Sequence, residues 1–164
     1  MKRTISRYPR ILALAPSTRG IGFAVLEGLD TLADWGVKTV TGDKNKASVV
    51  KAKELILHYR PEVLVLEDSS AKDSRRSLRI RKLTKEMVAV ARKCNVSAVL
   101  FSRKRVRRAF FGDGQGTKHA LAQIIAQKYP EELSFRLPPK RQPWKSEDCR
   151  MDIFDAVALA LMVR

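Results

Sequence analysis

The sequence predicts an α/β fold, a mixed five-stranded sheet flanked by helices, and three observations carry that prediction. Two apolar runs near the N-terminus, residues 10–16 and 21–27, are separated only by Ser17-Thr18-Arg19-Gly20, which reads as the turn of a β-hairpin. Val63-Leu64-Val65-Leu66 is apolar without alternation, the pattern of a strand covered on both faces. Beyond it, strand-like and helix-like segments alternate toward the C-terminus.

The elements follow in order. A third strand spans about 31–40, with Trp35 packing in the core. Val49, Ala52, Ile56 and Tyr59 recur at helical spacing, so residues 44–59 form a helix that ends before Pro61. Glu67 closes the buried strand. A polar loop leads to a helix with Ile80, Leu83, Met87, Val90 and Cys94 along one side and basic residues elsewhere. Residues 97–101 form the fifth strand, and Ser102 caps a short basic helix through Ala109. The glycine-rich 112–116 is a flexible loop before a helix over 117–129; 130–147 is Pro-rich and irregular, and a helix over 148–163 closes the chain. A length of 164 residues fits one domain, with a short basic arm at 1–9.

Charge is the strongest compositional signal. The formal net charge is +16, and the segment from Lys72 to Arg108 holds fourteen Lys or Arg against two acids, +12 of that surplus. A surplus so concentrated points to a polyanion, nucleic acid, rather than to a merely solvated face. No apolar run is long enough to cross a bilayer, and no amphipathic helix pairs a basic face with exposed aromatics, so a membrane is not an expected partner. Pro16 and Arg19 interrupt the first apolar stretch, which argues against a secretory signal. Cys94 and Cys149 have neither metal-ligand nor disulfide spacing, which suits a reducing, cytoplasmic setting.

Three carboxylates stand out against that basic background. Asp152 and Asp155 lie three residues apart on a helix that is apolar nearly all round, so both project from nearly one face into a core. Two anions there are costly unless a cation or a set of donors satisfies them; the plainer alternative is one pairing with an Arg at the helix's surface end. Glu67, at the carboxyl end of a buried strand, sits where open α/β sheets place their ligands, although strand-end acids also simply face water. Asp68 points to the opposite face and is the weaker candidate. Carboxylates gathered together favour hard divalent ions, Mg²⁺ or Mn²⁺, over zinc, because no His or Cys cluster accompanies them. Two such ions about 4 Å apart serve phosphodiester hydrolysis with water as nucleophile.

Three separated segments then resemble one family. Ile11-Leu12-Ala13-Leu14-Ala15-Pro16-Ser17-Thr18-Arg19-Gly20-Ile21-Gly22 is similar to the first strand and turn of RuvC-type Holliday junction resolvases. Leu64-Val65-Leu66-Glu67 resembles the family's strand ending in its second catalytic acid, and Asp152-Ile153-Phe154-Asp155-Ala156-Val157-Ala158-Leu159-Ala160 its last helix. The resemblance spans nearly the whole chain. It implies an RNase H-like nuclease domain, two divalent metals, and a homodimer acting on branched DNA, in a bacterial or phage cytoplasm. It makes Glu67, Asp152 and Asp155 metal ligands and the helix at 80–94 a candidate dimer interface, although such a stripe more often serves the core. Lys118 falls where the family has a phosphate-contacting Lys; ordinary surface charge is the equal alternative. His119 reads as a helix-surface residue, and 112–116 does not have P-loop spacing to Lys118.

Two departures qualify the resemblance. Ala15 stands where the family has its first catalytic Asp, and a methyl group can neither bridge metals nor orient water against them. This form is therefore expected to be inactive, with an engineered Asp-to-Ala change the favoured origin because the neighbouring residues look intact. The loop after Glu67, Asp68 to Arg76, offers no aromatic wedge, which leaves four-way-junction specificity open. Arg75, Arg76, Arg79, Arg103, Arg105 and Arg107 are the expected phosphate contacts. Trp144, between basic residues, either stacks on an unpaired base or pins its loop to the core. Two alternatives stand beside the nuclease: a natural non-catalytic nucleic-acid-binding module, and an RNase H-like nuclease preferring RNA–DNA hybrid or single strands.

Overall fold

The computed structural model describes residues 8–70, 72 and 74–164, so most of the expected basic arm lies outside the described residues. Its centre is a five-stranded sheet of β1 (Ile11–Pro16), β2 (Gly20–Glu27), β3 (Thr31–Thr39), β4 (Val63–Glu67) and β5 (Ser97–Phe101), in the order β3-β2-β1-β4-β5. The pairs β1–β2 and β2–β3 are antiparallel, and β1–β4 and β4–β5 are parallel. Parallel neighbours need long crossovers. Helix α1 (Lys44–Tyr59) carries the chain from β3 to β4, and α2 (Leu78–Lys93) from β4 to β5.

Each boundary has a local cause. Asp43 caps α1 by accepting the Lys46 N–H at 3.2 Å, and Arg60, at φ 48°, ends it ahead of Pro61. Ser77 caps α2, Ser102 caps α3 (Arg103–Phe111), and Thr117 caps α4 (Lys118–Lys128), each accepting from the third residue on. The β1–β2 turn closes with the Ser17 N–H donating to the Gly20 carbonyl at 2.8 Å. Arg79 and Lys44 clamp that turn by donating to the Ser17 and Thr18 carbonyls.

The period-two alternation sorts the sheet into two cores. Leu12, Leu14, Leu64 and Leu66 face α1 and α2, where Ala52, Ile56, Leu83 and Met87 bury against them. Ile11, Ala13, Ala15 and Val65 face the opposite side, packing with Leu121 and Ile125 of α4 and with Phe154 and Val157 of α6 (Met151–Leu161). The same alternation turns Glu67 toward α6, beside position 15 on the neighbouring strand. The apolar stripe of α2 is spent on the core: Ile80, Leu83 and Met87 are buried, and Val90 and Cys94 pack against them. Trp35 is half-buried against the α6 side.

Three stretches differ from the sequence expectation. The closing helix starts at Met151 rather than 148, because the Asp148 carboxylate turns onto the Arg150 N–H at 2.9 Å and its guanidinium at 2.8 and 3.0 Å, fixing a separate turn. The irregular 130–147 contains helix α5 (Pro130–Leu133) and a 3₁₀ turn (Ser134–Arg136). Pro130 sits at the first helical position with Glu131 and Glu132 behind it, a short start signal that the surrounding prolines hide. Helix α3 continues past Ala109 to Phe111, where Gly112 at φ 63° ends it. Among the described residues no helix is long and apolar enough to cross a membrane.

Gly22, paired with Ala15 across the hairpin, sets the closest approach of α6 to the sheet. A Cβ there would lie 2.3 Å from the Asp152 carbonyl oxygen. Gly22→Ala is therefore expected to push the first turn of α6 outward and cost about 1–3 kcal/mol of stability, as overpacking does. Urea or thermal unfolding checks this, and an unchanged midpoint would contradict the tight contact.

Candidate metal centre and nucleic-acid interface

Four elements converge on one cleft. Strand β1 brings Ala15 and Pro16, β4 brings Glu67, the start of α4 brings Lys118, and α6 brings Asp155; Arg76, Arg103 and Arg107 complete the wall. The cavity is about 50 Å³, room for small ions and waters but not for a base. Asp152, one turn before Asp155, lies behind this wall and is 6% exposed. Asp68 turns away, its Oδ1 accepting the Ser70 N–H at 3.0 Å and hydroxyl at 2.6 Å.

Every acid in the cleft is met differently. Glu67 Oε2 accepts from Arg76 Nε at 2.7 Å, and its Oε1 lies 3.4 Å from Arg103 Nε. Burial works against the Arg76 charge, but the pairing with Glu67 outweighs it and raises the guanidinium above its ordinary value. Lys118 Nζ lies 2.9 Å from Asp155 Oδ2 and also donates to Glu147 Oε1. Burial likewise opposes the Lys118 charge, and Asp155 with Glu147 more than restores it. Asp155 itself is raised, chiefly by burial, against the pull of Lys118. Asp152 is pushed up to about 6, first by burial and then by the charge of Asp155, against a hydrogen bond from the Ser17 side chain. Its Oδ2 is buried and, among the described residues, has no hydrogen-bond partner.

Sequence reasoning missed Glu147. Its carboxylate, with those of Asp152 and Asp155, offers oxygens that all lie within 4.8 Å of one another. Glu147 stands on the loop before α6, outside any periodic segment. The available signal was acid density, since four of the chain's 17 acids fall between residues 147 and 155. All three acids are hard oxygen donors, and the partnerless Asp152 oxygen fits a divalent cation of the Mg²⁺ or Mn²⁺ class.

The basic residues divide into two kinds. Arg75, Arg76, Arg103, Lys104 and Arg107 line a groove of about 600 Å³ that shares Glu67 with the cleft. Arg79 is committed to the fold, donating to Asn45 Oδ1 at 3.0 Å and the Ser17 carbonyl at 3.1 Å. Arg105 stacks over Phe101, 5.1 Å from its ring centre. On the other side of Lys118, a second groove is lined by Arg19, His119, Lys140, Arg141, Lys145 and Glu147. Trp144 in that loop is 78% exposed, so it does not pin the loop to the core.

Comparison with solved structures decides the architecture. Thermus thermophilus RuvC superposes with a TM-score of 0.64 at 19% identity, covering 93% of this chain and 91% of that one. The fold is that of the RuvC resolvases. T. thermophilus RuvC in complex with a Holliday junction substrate gives 0.65 at 18% identity over the same shares. The yeast mitochondrial Holliday junction resolvase Ydc2 gives 0.58 at 15% identity, covering 92% of this chain and 75% of that one. No protein-family model matches the sequence, and no curated protein matches it either. The RuvC-like, mixed five-stranded architecture thus agrees with the sequence expectation.

The burial of Asp152 has a measurable consequence in metal-free buffer. Its folded pKa of about 6 lies above the unfolded value near 3.9, so the folded state holds the proton more tightly. That contribution is fully present below about pH 4 and is lost as pH rises through about 6. Asp152→Asn removes it. The Asn protein is expected to gain on the parent by up to about 3 kcal/mol between pH 4 and pH 7. Urea denaturation with chelator at the two pH values reads the difference, and a gap independent of pH would contradict the burial effect.

Proposed function

We propose that this chain is a RuvC-type nuclease domain that binds branched DNA, whose active counterpart carries Asp at position 15. The supporting observation is one cleft walled by Ala15, Glu67, Lys118 and Asp155 that opens onto an arginine-lined groove. Glu67, Asp152 and Asp155 would hold divalent ions, Mg²⁺ or Mn²⁺, two in the active counterpart. When bound, such ions activate water and stabilise the leaving oxygen of a phosphodiester. The remaining work falls to the chain's own residues. Arg75, Arg103 and Arg107 receive phosphates along the groove. Lys118 presents a cation in the wall between the cleft and the second groove, and exposed Trp144 is free to stack on an unpaired base. Because a methyl group at position 15 cannot bridge two ions, the Ala15 form is inactive or nearly so.

The proposed substrate, a four-way DNA junction, rests on the neighbours whose names specify Holliday junctions. The absence of an aromatic residue between 68 and 76 leaves flaps, hybrids and single strands as competitors. A homodimer fits the same reading, though the stripe of α2 is buried in the core and another surface would have to carry it. A second reading also has an observation behind it. Glu67 is neutralised by Arg76 and Arg103, and Asp155 by Lys118, as a binding module without catalysis would allow.

Two experiments separate these readings. Ala15→Asp, assayed with Mg²⁺ or Mn²⁺ on four-way junctions, flaps, hybrids and duplex, is expected to cleave junctions at least about 10³-fold faster than the Ala15 protein, about 4 kcal/mol of barrier. No cleavage of any substrate would favour the binding module, and preference for hybrid would redirect the substrate. The Ala15 protein itself is expected to bind junction DNA with affinity falling on the order of a hundredfold between 50 and 200 mM salt. Fluorescence anisotropy measures this, and salt-insensitive binding would sink the phosphate-groove assignment.

A further inference from the structure

We infer that Glu147, Asp152 and Asp155 form a divalent-cation site that survives the loss of the acid at position 15, with Lys118 as its resident placeholder. The inference rests on the reading that this cleft takes hard divalent ions, and it adds a ligand that lies outside the three acids matched by resemblance. Glu147 reaches the site from the loop before α6, whereas Glu67 arrives from the sheet and is held by Arg76 and Arg103.

Two independent observations meet here. The three carboxylates offer oxygens all within 4.8 Å of one another, a spacing one ion can span. The Asp152 carboxylate in that triangle is 94% buried by residue, and its Oδ2 has no partner among the described residues. Lys118 pairs with Asp155 at 2.9 Å and with Glu147, and neutralises one of three negative charges. The net charge of −2 that remains draws a divalent ion, which takes the place of the ammonium among the three carboxylates. Neither His nor Cys belongs to the triangle, so the donors suit Mg²⁺, Mn²⁺ or Ca²⁺ rather than zinc. Glu147 thus supplies a third carboxylate on the α6 side of the centre, a ligand that does not depend on the residue at position 15.

The test uses the full Ala15 chain without nucleic acid, titrated with Mn²⁺ and followed by electron paramagnetic resonance and calorimetry. One Mn²⁺ per chain is expected. Glu147→Gln and Asp155→Asn should each weaken it at least tenfold, and Glu67→Gln less than threefold. Lys118→Met should tighten it several-fold, because a competing positive charge leaves the site. Circular dichroism in chelator verifies that each variant is folded. Binding unchanged in Glu147→Gln, binding that depends on Glu67 instead, or no Mn²⁺ bound by either the parent or Lys118→Met would overturn the assignment. The outcome is separable from the nuclease reading. A Glu147-dependent ion supports the site even if Ala15→Asp cleaves nothing, and cleavage by Ala15→Asp that proceeds with Glu147-independent Mn²⁺ binding removes the site while leaving the nuclease.

Discussion

The structure depends on a buried charge that the protein leaves partly uncompensated. Asp152 sits in the first turn of α6, pressed against the hairpin because Gly22 presents no side chain to hold the helix off. The helix N-terminus favours an anion at that place, and the Ser17 side chain donates to it, yet burial still pushes the carboxyl up to about 6. A core acid under such pressure either keeps its proton or attracts a cation. The surrounding acids, Asp155 and Glu147, increase the pressure rather than relieve it. The protein's own counterweight is internal: Lys118 crosses to both neighbours, and Arg76 closes over Glu67.

These internal cations explain how a chain of net charge +16 tolerates a cluster of acids at its centre. They also divide the cleft in two. The sheet side, Glu67 with Arg76 and Arg103, is a nearly neutral ion pair. The helix side, with three acids against one lysine, remains negative. Position 15 lies between them on β1, and its methyl group leaves the two halves without a shared oxygen ligand. An acid placed there would face both halves and add to the electrostatic demand for a cation.

The backbone plan was legible because its signals are local and periodic. The hairpin turn, the unbroken apolar run of β4, the cap residue Ser102, and the spacing of Asp152 and Asp155 each carry a short-range physical cause. The facing of Glu67 followed from counting by twos along β4. What escaped was set by tertiary geometry. Glu147 occupies no periodic segment, and only the folding of its loop against α4 brings it to Lys118. The short helix at Pro130 was masked by its Pro-rich surroundings. The basic segment read correctly as charge but not as roles. Only the structure distinguishes Arg79, which clamps the hairpin turn, and Arg105, stacked on Phe101, from the arginines that line the groove.

The groove arginines are not equivalent either, and the difference bears on how phosphate meets the cleft. Arg103 is about half exposed and contacts Glu67 at 3.4 Å, a solvent-screened pairing of the kind worth at most about 1 kcal/mol. A phosphate arriving in the groove can draw Arg103 away at little cost. Arg76 is more deeply seated, donates at 2.7 Å, and its charge depends on Glu67 to offset burial. Pulling it away would leave a half-buried guanidinium and a half-buried carboxylate both unpaired, which is the expensive arrangement. On the proposed reading Arg103 is the arginine freer to move to a phosphate, and Arg76 the one held at Glu67. On that reading, competition for Glu67 rather than the reach of the arginines would link occupation of the groove to occupation of the cleft.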